Sequence, residues 1–115
     1  MVAVLLKGLK GLGACNIFVD DEYAGFIQNN YAGHNGPIQL GYGIENRTLR
    51  HRGIMTEAVR LYLQPVSPLQ HDVSAWVAFH NPFGCYSISV LEKNGFEKSH
   101  DTSWCSIFKW VRRMQ

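Results

Sequence analysis

Residues 40–63 read LGYGIENRTLRHRGIMTEAVRLYL, and the hydrophobic period changes inside that stretch. Up to Ile44 the pattern is that of a strand: Ile38, Leu40, Tyr42 and Ile44 alternate with small or polar residues. Beyond Gly53, Ile54, Met55, Ala58, Val59, Tyr62 and Leu63 recur at helical spacing and form one broad apolar stripe, which Pro65 and Pro68 end. Between the two segments Arg50, His51 and Arg52 stand directly before Gly53. A helix start presents N–H groups without intrahelical acceptors and a partial positive charge. Arginine forks add donors that match phosphate oxygens, and a glycine lets a ligand approach the backbone. The stretch admits two readings, a solvated loop ahead of a helix or a seat for a phosphorylated ligand.

Upstream, residues 15–19 and 23–29 read as a hairpin across an acidic turn, followed by a loop rich in Asn and Gly. Gly41 and Gly43 in the third strand mark a close backbone approach or a bulge. Downstream, residues 73–79 form a strand, and Ser87–Lys93 a short helix stopped by Asn94 and Gly95. Residues 96–99 and 104–112 form two closing strands. Trp76, Trp104 and Trp110 fall in strand patterns and read as core, with Trp76 pointing away from Val77 towards a helix-covered face. Residues 1–13 stay open between a strand over Val2–Leu6 and a helix with Leu5, Leu9 and Leu12 on one side. The order βββ-α-β-α-ββ makes a mixed α/β (α+β) sheet flanked by helices.

The 115 residues suit a single domain over 1–115, and 46% hydrophobic with 17% charged residues is an ordinary globular composition. A net charge of +2 is too small for a nucleic-acid surface. No apolar run reaches the roughly 20 residues of a membrane helix. Lys7 and Lys10 interrupt the stretch a secretion signal would need, so a cytoplasmic location is expected. Three unclustered cysteines and five scattered histidines suggest neither a disulfide framework nor a metal site.

Residues 40–63, together with SISVLEKNGF at 87–96, resemble the acetyl-CoA-binding segment and the fourth-helix signature of the GNAT acetyltransferases. The resemblance covers about residues 15–112 and is closest to the branch that acetylates N-terminal amines of ribosomal proteins. Arg50, Gly53 and Met55 occupy the motif positions, with Met55 where a small residue is usual. The resemblance implies a mostly antiparallel GNAT-like sheet with a splayed parallel pair, Ile38–Ile44 and Val73–Phe79, lacking the usual N-terminal strand and helices. It implies acetyl-CoA (coenzyme A) as cofactor, its pantetheine arm between the splayed strands. The cofactor contacts would be Ile44, Arg50, Arg52, Gly53, Ile54, Met55, Thr56, Asn81 and Ser87.

The family's helix-four tyrosine acid is replaced by Leu91. Ser87 stands where the resembled branch often has a serine able to hydrogen-bond a leaving thiolate; it also suits a helix cap. Glu45 is the candidate base, with Glu22 and His34 as alternatives, and all three also suit solvated loops. The implied function is acetyl transfer to a primary amine of a small molecule or protein. The alternative is a non-catalytic GNAT-fold module that binds a small ligand or a protein. Little chain precedes the hairpin, so either the acceptor side is wide open or a second subunit, in a homodimer, closes it; Leu5–Leu12 is the stretch that could keep one of the family's helices.

Overall fold

The computed structural model describes residues 4–8, 13–31, 38–46, 52–64, 73–82 and 84–110. Val4–Gly8 is a strand, β1, paired antiparallel with Gly13–Val19, β2. Val4 and Leu6 pack against the core while Leu5 is half exposed, an alternation of period two. Of the two readings open for residues 1–13, the structure has the strand, through Gly8, and not the helix over Leu5–Leu12; residues 9–12 lie outside the described residues. β1 stands ahead of the hairpin, where the resemblance implied no strand. Only four residues, 9–12, join it to β2.

β2 turns into β3 (Glu22–Tyr31) through Asp20 and Asp21, whose φ angles are 49° and 69°. Two consecutive left-handed residues make the tight turn whose twist matches a hairpin, and Asp tolerates that region better than most side chains. β3 pairs antiparallel with β4 (Ile38–Ile44), and the ladder continues past β4 where Glu45 N–H and Asn46 N–H both donate to Ala24 O, at 2.8 and 3.1 Å. Of the two readings of Gly41 and Gly43, a bulge or a close approach, the β3–β4 pairing shows no bulge: its register is unbroken, and a register shift lies instead between Ile17 and Phe18 on the other side of β3. The close approach is real and sits at Gly43.

Helix α1 (Ile54–Leu63) follows, then β5 (Val73–Ala78), helix α2 (Gly84–Lys93), β6 (Phe96–Asp101) and β7 (Cys105–Trp110). The seven strands lie in the order β1-β2-β3-β4-β5-β7-β6, antiparallel throughout except between β4 and β5. No helix among the described residues is long and apolar enough to cross a membrane.

One core holds the molecule together. Ile54, Ala58, Val59 and Leu63 of α1 and Leu91 of α2 join Ile17, Ile27, Leu40, Val73, Ala75, Val77 and Phe108 from the strands. Both helices therefore cover the same face of the sheet, α1 over β1 and β3 and α2 over β5 and β6. Leaving water, each of the Val, Leu, Ile and Phe side chains contributes roughly 1.5–3 kcal/mol. The opposite face explains a correction. Trp76 does point away from Val77, but that is the face neither α1 nor α2 covers, so Trp76 and Trp104 are each 49% exposed and pack edge-on at 5.0 Å. Trp110 alone of the three packs against the core, stacked on Phe96.

Candidate functional site

The parallel ladder between β4 and β5 pairs Ile38 with Val73, Gln39 with Ser74 and Leu40 with Ala75, and then stops. Both strands run on, to Ile44 and to Ala78, each still paired on its outer side with β3 or β7. Their inner edges diverge. An open strand edge offers N–H and C=O groups to a guest that can hydrogen-bond like a strand.

A cleft of about 520 Å³ opens at this divergence, within the roughly 300–1,000 Å³ usual for small-molecule sites. Its β4 wall is Tyr42, Gly43 and Ile44. Gly53, Ile54, Met55 and Thr56 at the start of α1 form a second side. Gly53 is the helix N-cap in a left-handed conformation, φ 73°, and no side chain caps the helix. Glu57 N–H, donating to Gly53 O at 3.1 Å, is the first amide with an intrahelical acceptor. The amides of Ile54, Met55 and Thr56 therefore precede the helical ladder and carry its positive end to the cleft.

Asn81 and α2 complete the lining. Asn81 N–H donates to Ala78 O, and Asn81 O accepts from Gly84 N–H at 3.0 Å, a turn that launches α2. Tyr86, Val90 and Lys93, with Ser87 and Ser89 beside them, line the cleft along α2, a stripe at i, i+4 and i+7 spacing. The Asn94 side-chain amide donates to Val90 O at 2.9 Å and to Thr56 O at 3.1 Å. It pins the end of α2 to the first turn of α1 and so sets the spacing of two cleft walls.

Tyr42 spans the divergence. Its hydroxyl donates to Ser87 O at 3.1 Å, joining β4 to the first turn of α2, and burial drives its phenol well above the usual tyrosine range while that hydrogen bond opposes the shift. Tyr42→Phe keeps the ring and loses the strut, for an expected cost of about 1 kcal/mol. The sign with pH follows. The native state holds the phenol neutral, so its contribution is whole below the unfolded value of about 10 and is lost as pH climbs above it. Denaturant titrations at pH 8 and above pH 10 check this: the wild type should lose more stability between them than Tyr42→Phe does.

The cleft gathers Ile44, Gly53, Ile54, Met55, Thr56, Asn81 and Ser87 from among the sequence candidates. Arg50, along with His51 and His34, lies outside the described residues. Arg52 is exposed just ahead of α1 and is not part of the lining. Glu45 is also outside the lining. It hydrogen-bonds with Tyr23, whose phenol is raised by desolvation first and by the Glu45 carboxylate second. Glu22 is exposed at the hairpin turn. Leu91, in place of the family tyrosine, is fully buried in the core. The sequence reading missed Tyr42 as a strut and left open where Tyr86 points. It also missed Lys93, although the 86, 90, 93 spacing already placed three residues on one side of α2.

A model of the GNAT acetyltransferase domain family matches residues 5–97. No curated protein sequence matches the chain. Solved structures similar in fold include a GNAT-family acetyltransferase from Bacillus anthracis, TM-score 0.70 at 16% identity, over 86% of this chain and 66% of that one. RimL, a ribosomal-protein alpha-N-acetyltransferase solved with coenzyme A, gives TM-score 0.69 at 17% identity, over 84% of this chain and 59% of that one. MccE, a microcin self-immunity acetyltransferase solved with acetyl-CoA and AMP, gives 0.67 at 18%, over 86% and 60%. This chain spans a little under two thirds of the length of each. With the family match running from β1 into β6, the chain belongs to the GNAT acetyltransferase domain family.

Proposed function

We propose that the cleft is the acetyl-CoA seat of an N-acetyltransferase whose acceptor is a primary amine. One observation carries the reading: the β4–β5 ladder stops at Leu40 and Ala75, and the space beyond it leads to the uncapped amides of α1. The residues suit the cofactor. A diphosphate needs clustered donors and positive potential, which Ile54, Met55 and Thr56 offer. An amide-bearing arm needs strand-edge partners, which the distal half of β4 offers. The coenzyme A and acetyl-CoA complexes of RimL and MccE support the same ligand.

Bound there, acetyl-CoA supplies a thioester already activated towards amines. The chain's part is to hold and orient it, with Asn81 and Ser87 near the opening of α2. In this reading the hydroxyl of Ser87, which lines the cleft, donates to the departing thiolate. Neither Glu45 nor Glu22 is in the cleft lining, and in this reading the ammonium proton of the acceptor passes to water. Titration calorimetry with coenzyme A should show one site with micromolar affinity. No heat at high micromolar ligand would count against the seat itself.

Leucine at position 91, in place of the family's tyrosine acid, supports a second reading, because a hydrocarbon side chain has no proton to donate. In it the cleft binds the cofactor or another small ligand without transfer. The two readings part on thiol release: acetyl-CoA incubated with a panel of primary amines should release free thiol faster than acetyl-CoA alone. Binding without release would select the module.

A further inference from the structure

We propose that Lys93 is a phosphate-binding residue that fixes which end of the cleft receives the charged half of the ligand. The proposal rests on the reading of the cleft as the coenzyme A seat. Among the described residues Lys93 is the one cationic side chain in the cleft lining, and it makes no ion pair there; the pairs among those residues are Arg60 with Glu57 and Lys98 with Asp101. It is exposed, a hydrated point charge on a flexible stem at the cleft lining.

Its place along α2 gives the cleft a direction. The Asn94 bond to Thr56 O brings the C-terminal end of α2 against the first turn of α1. Lys93 and the amides of Ile54, Met55 and Thr56 therefore share one end. Tyr86 and Ser87 lie seven and six residues earlier, so roughly 10 Å along the helix from Lys93. One end offers a cation with backbone donors, and the other offers hydroxyls. A ligand with phosphates on one side and a thiol on the other fits in a single orientation. The bland alternative is that Lys93 answers the negative end of the α2 dipole, as lysines in last turns do. That role would leave ligand affinity untouched.

The test measures coenzyme A and 3′-dephospho-coenzyme A affinity by calorimetry in wild type, Lys93→Gln and Lys93→Arg. Losing one charge-assisted phosphate contact should weaken coenzyme A about ten-fold in Lys93→Gln, with Lys93→Arg close to wild type and all three melting alike. If the loss is confined to coenzyme A, Lys93 serves the ribose 3′-phosphate. If dephospho-coenzyme A weakens equally and arginine restores both, Lys93 serves the diphosphate. Unchanged coenzyme A affinity in Lys93→Gln overturns the proposal while leaving the seat intact, as does a loss that arginine fails to restore. Absence of binding by the wild type overturns the seat and the proposal together.

Discussion

Gly53→Glu abolishes coenzyme A binding, lowering affinity by more than about a hundred-fold, while Gly53→Ala binds almost as the wild type does. Two physical effects separate the variants. The backbone at Gly53 has φ 73°, where any L side chain is strained by roughly 1–2 kcal/mol. Both variants meet that strain. A β-carbon built on Gly53 meets no atom within 4 Å, so alanine adds strain without obstruction. Glutamate extends further and carries charge into the mouth of the cleft. Its carboxylate can take the first-turn amides of α1 for itself, as acidic N-terminal residues do. Against a diphosphate, one negative charge held about 4 Å away costs about 4 kcal/mol at an effective dielectric of 20. That is nearly a thousand-fold, and salt screening leaves a good part of it. Calorimetry on the three proteins decides the matter, with melting temperature showing that each is folded. Equal affinity in wild type and Gly53→Glu would mean the phosphates bind elsewhere.

The same glycine shows how much of the site could be read in one dimension. The change from period two to period 3.6 across residues 40–63 locates β4 and the start of α1, and the structure has β4 ending at Ile44 and α1 beginning at Ile54. Those signals are local, because strand alternation and helical stripes need only the chain's own pattern. The opening residues were ambiguous because Leu5, Leu9 and Leu12 fit one period, while Val4 and Leu6 fit the other. Pairing settled it, with Val4 opposite Val19 and Leu6 opposite Ile17. Trp76 failed for a related reason. Its strand says it points away from Val77, but not that both helices chose the Val77 side. The end of the β4–β5 ladder is a relation between segments 30 or more residues apart, and only the family resemblance reached it. The α2 stripe of Tyr86, Val90 and Lys93 is likewise plain as a spacing, yet its direction depends on Asn94 meeting Thr56.

Gly25 is the extreme case of information that no local pattern carries, and it leads to the largest expected loss of stability. In the sequence it is one glycine inside YAGFIQN. In the structure it is buried on β3, opposite Ile44, and a β-carbon there would lie 2.0 Å from Gly43 O. That contact is with backbone, not with a side chain that can rotate away. Relief requires β4 to move from β3, and β4 is held by an unbroken ladder from Gly25–Ile44 to Tyr31–Ile38 and by Glu45 and Asn46 donating to Ala24 O. Gly25→Ala should therefore cost about 3 kcal/mol or more, the upper range for overpacking. At roughly 4 °C per kcal/mol for a chain of this size, the melting temperature should fall by about 12 °C. Gly43 faces the cleft, so the displacement has a second consequence: the folded fraction of Gly25→Ala should bind coenzyme A more weakly. Gly41→Ala is the control. Its β-carbon would sit 3.5 Å from the flexible Gln28 side chain, an ordinary contact, and should cost little. The two variants differ by one strand position class, a backbone oxygen against a movable side chain. Similar melting temperatures for both would show that β4 yields easily, and with it the rigid strand edge on which the cleft is built.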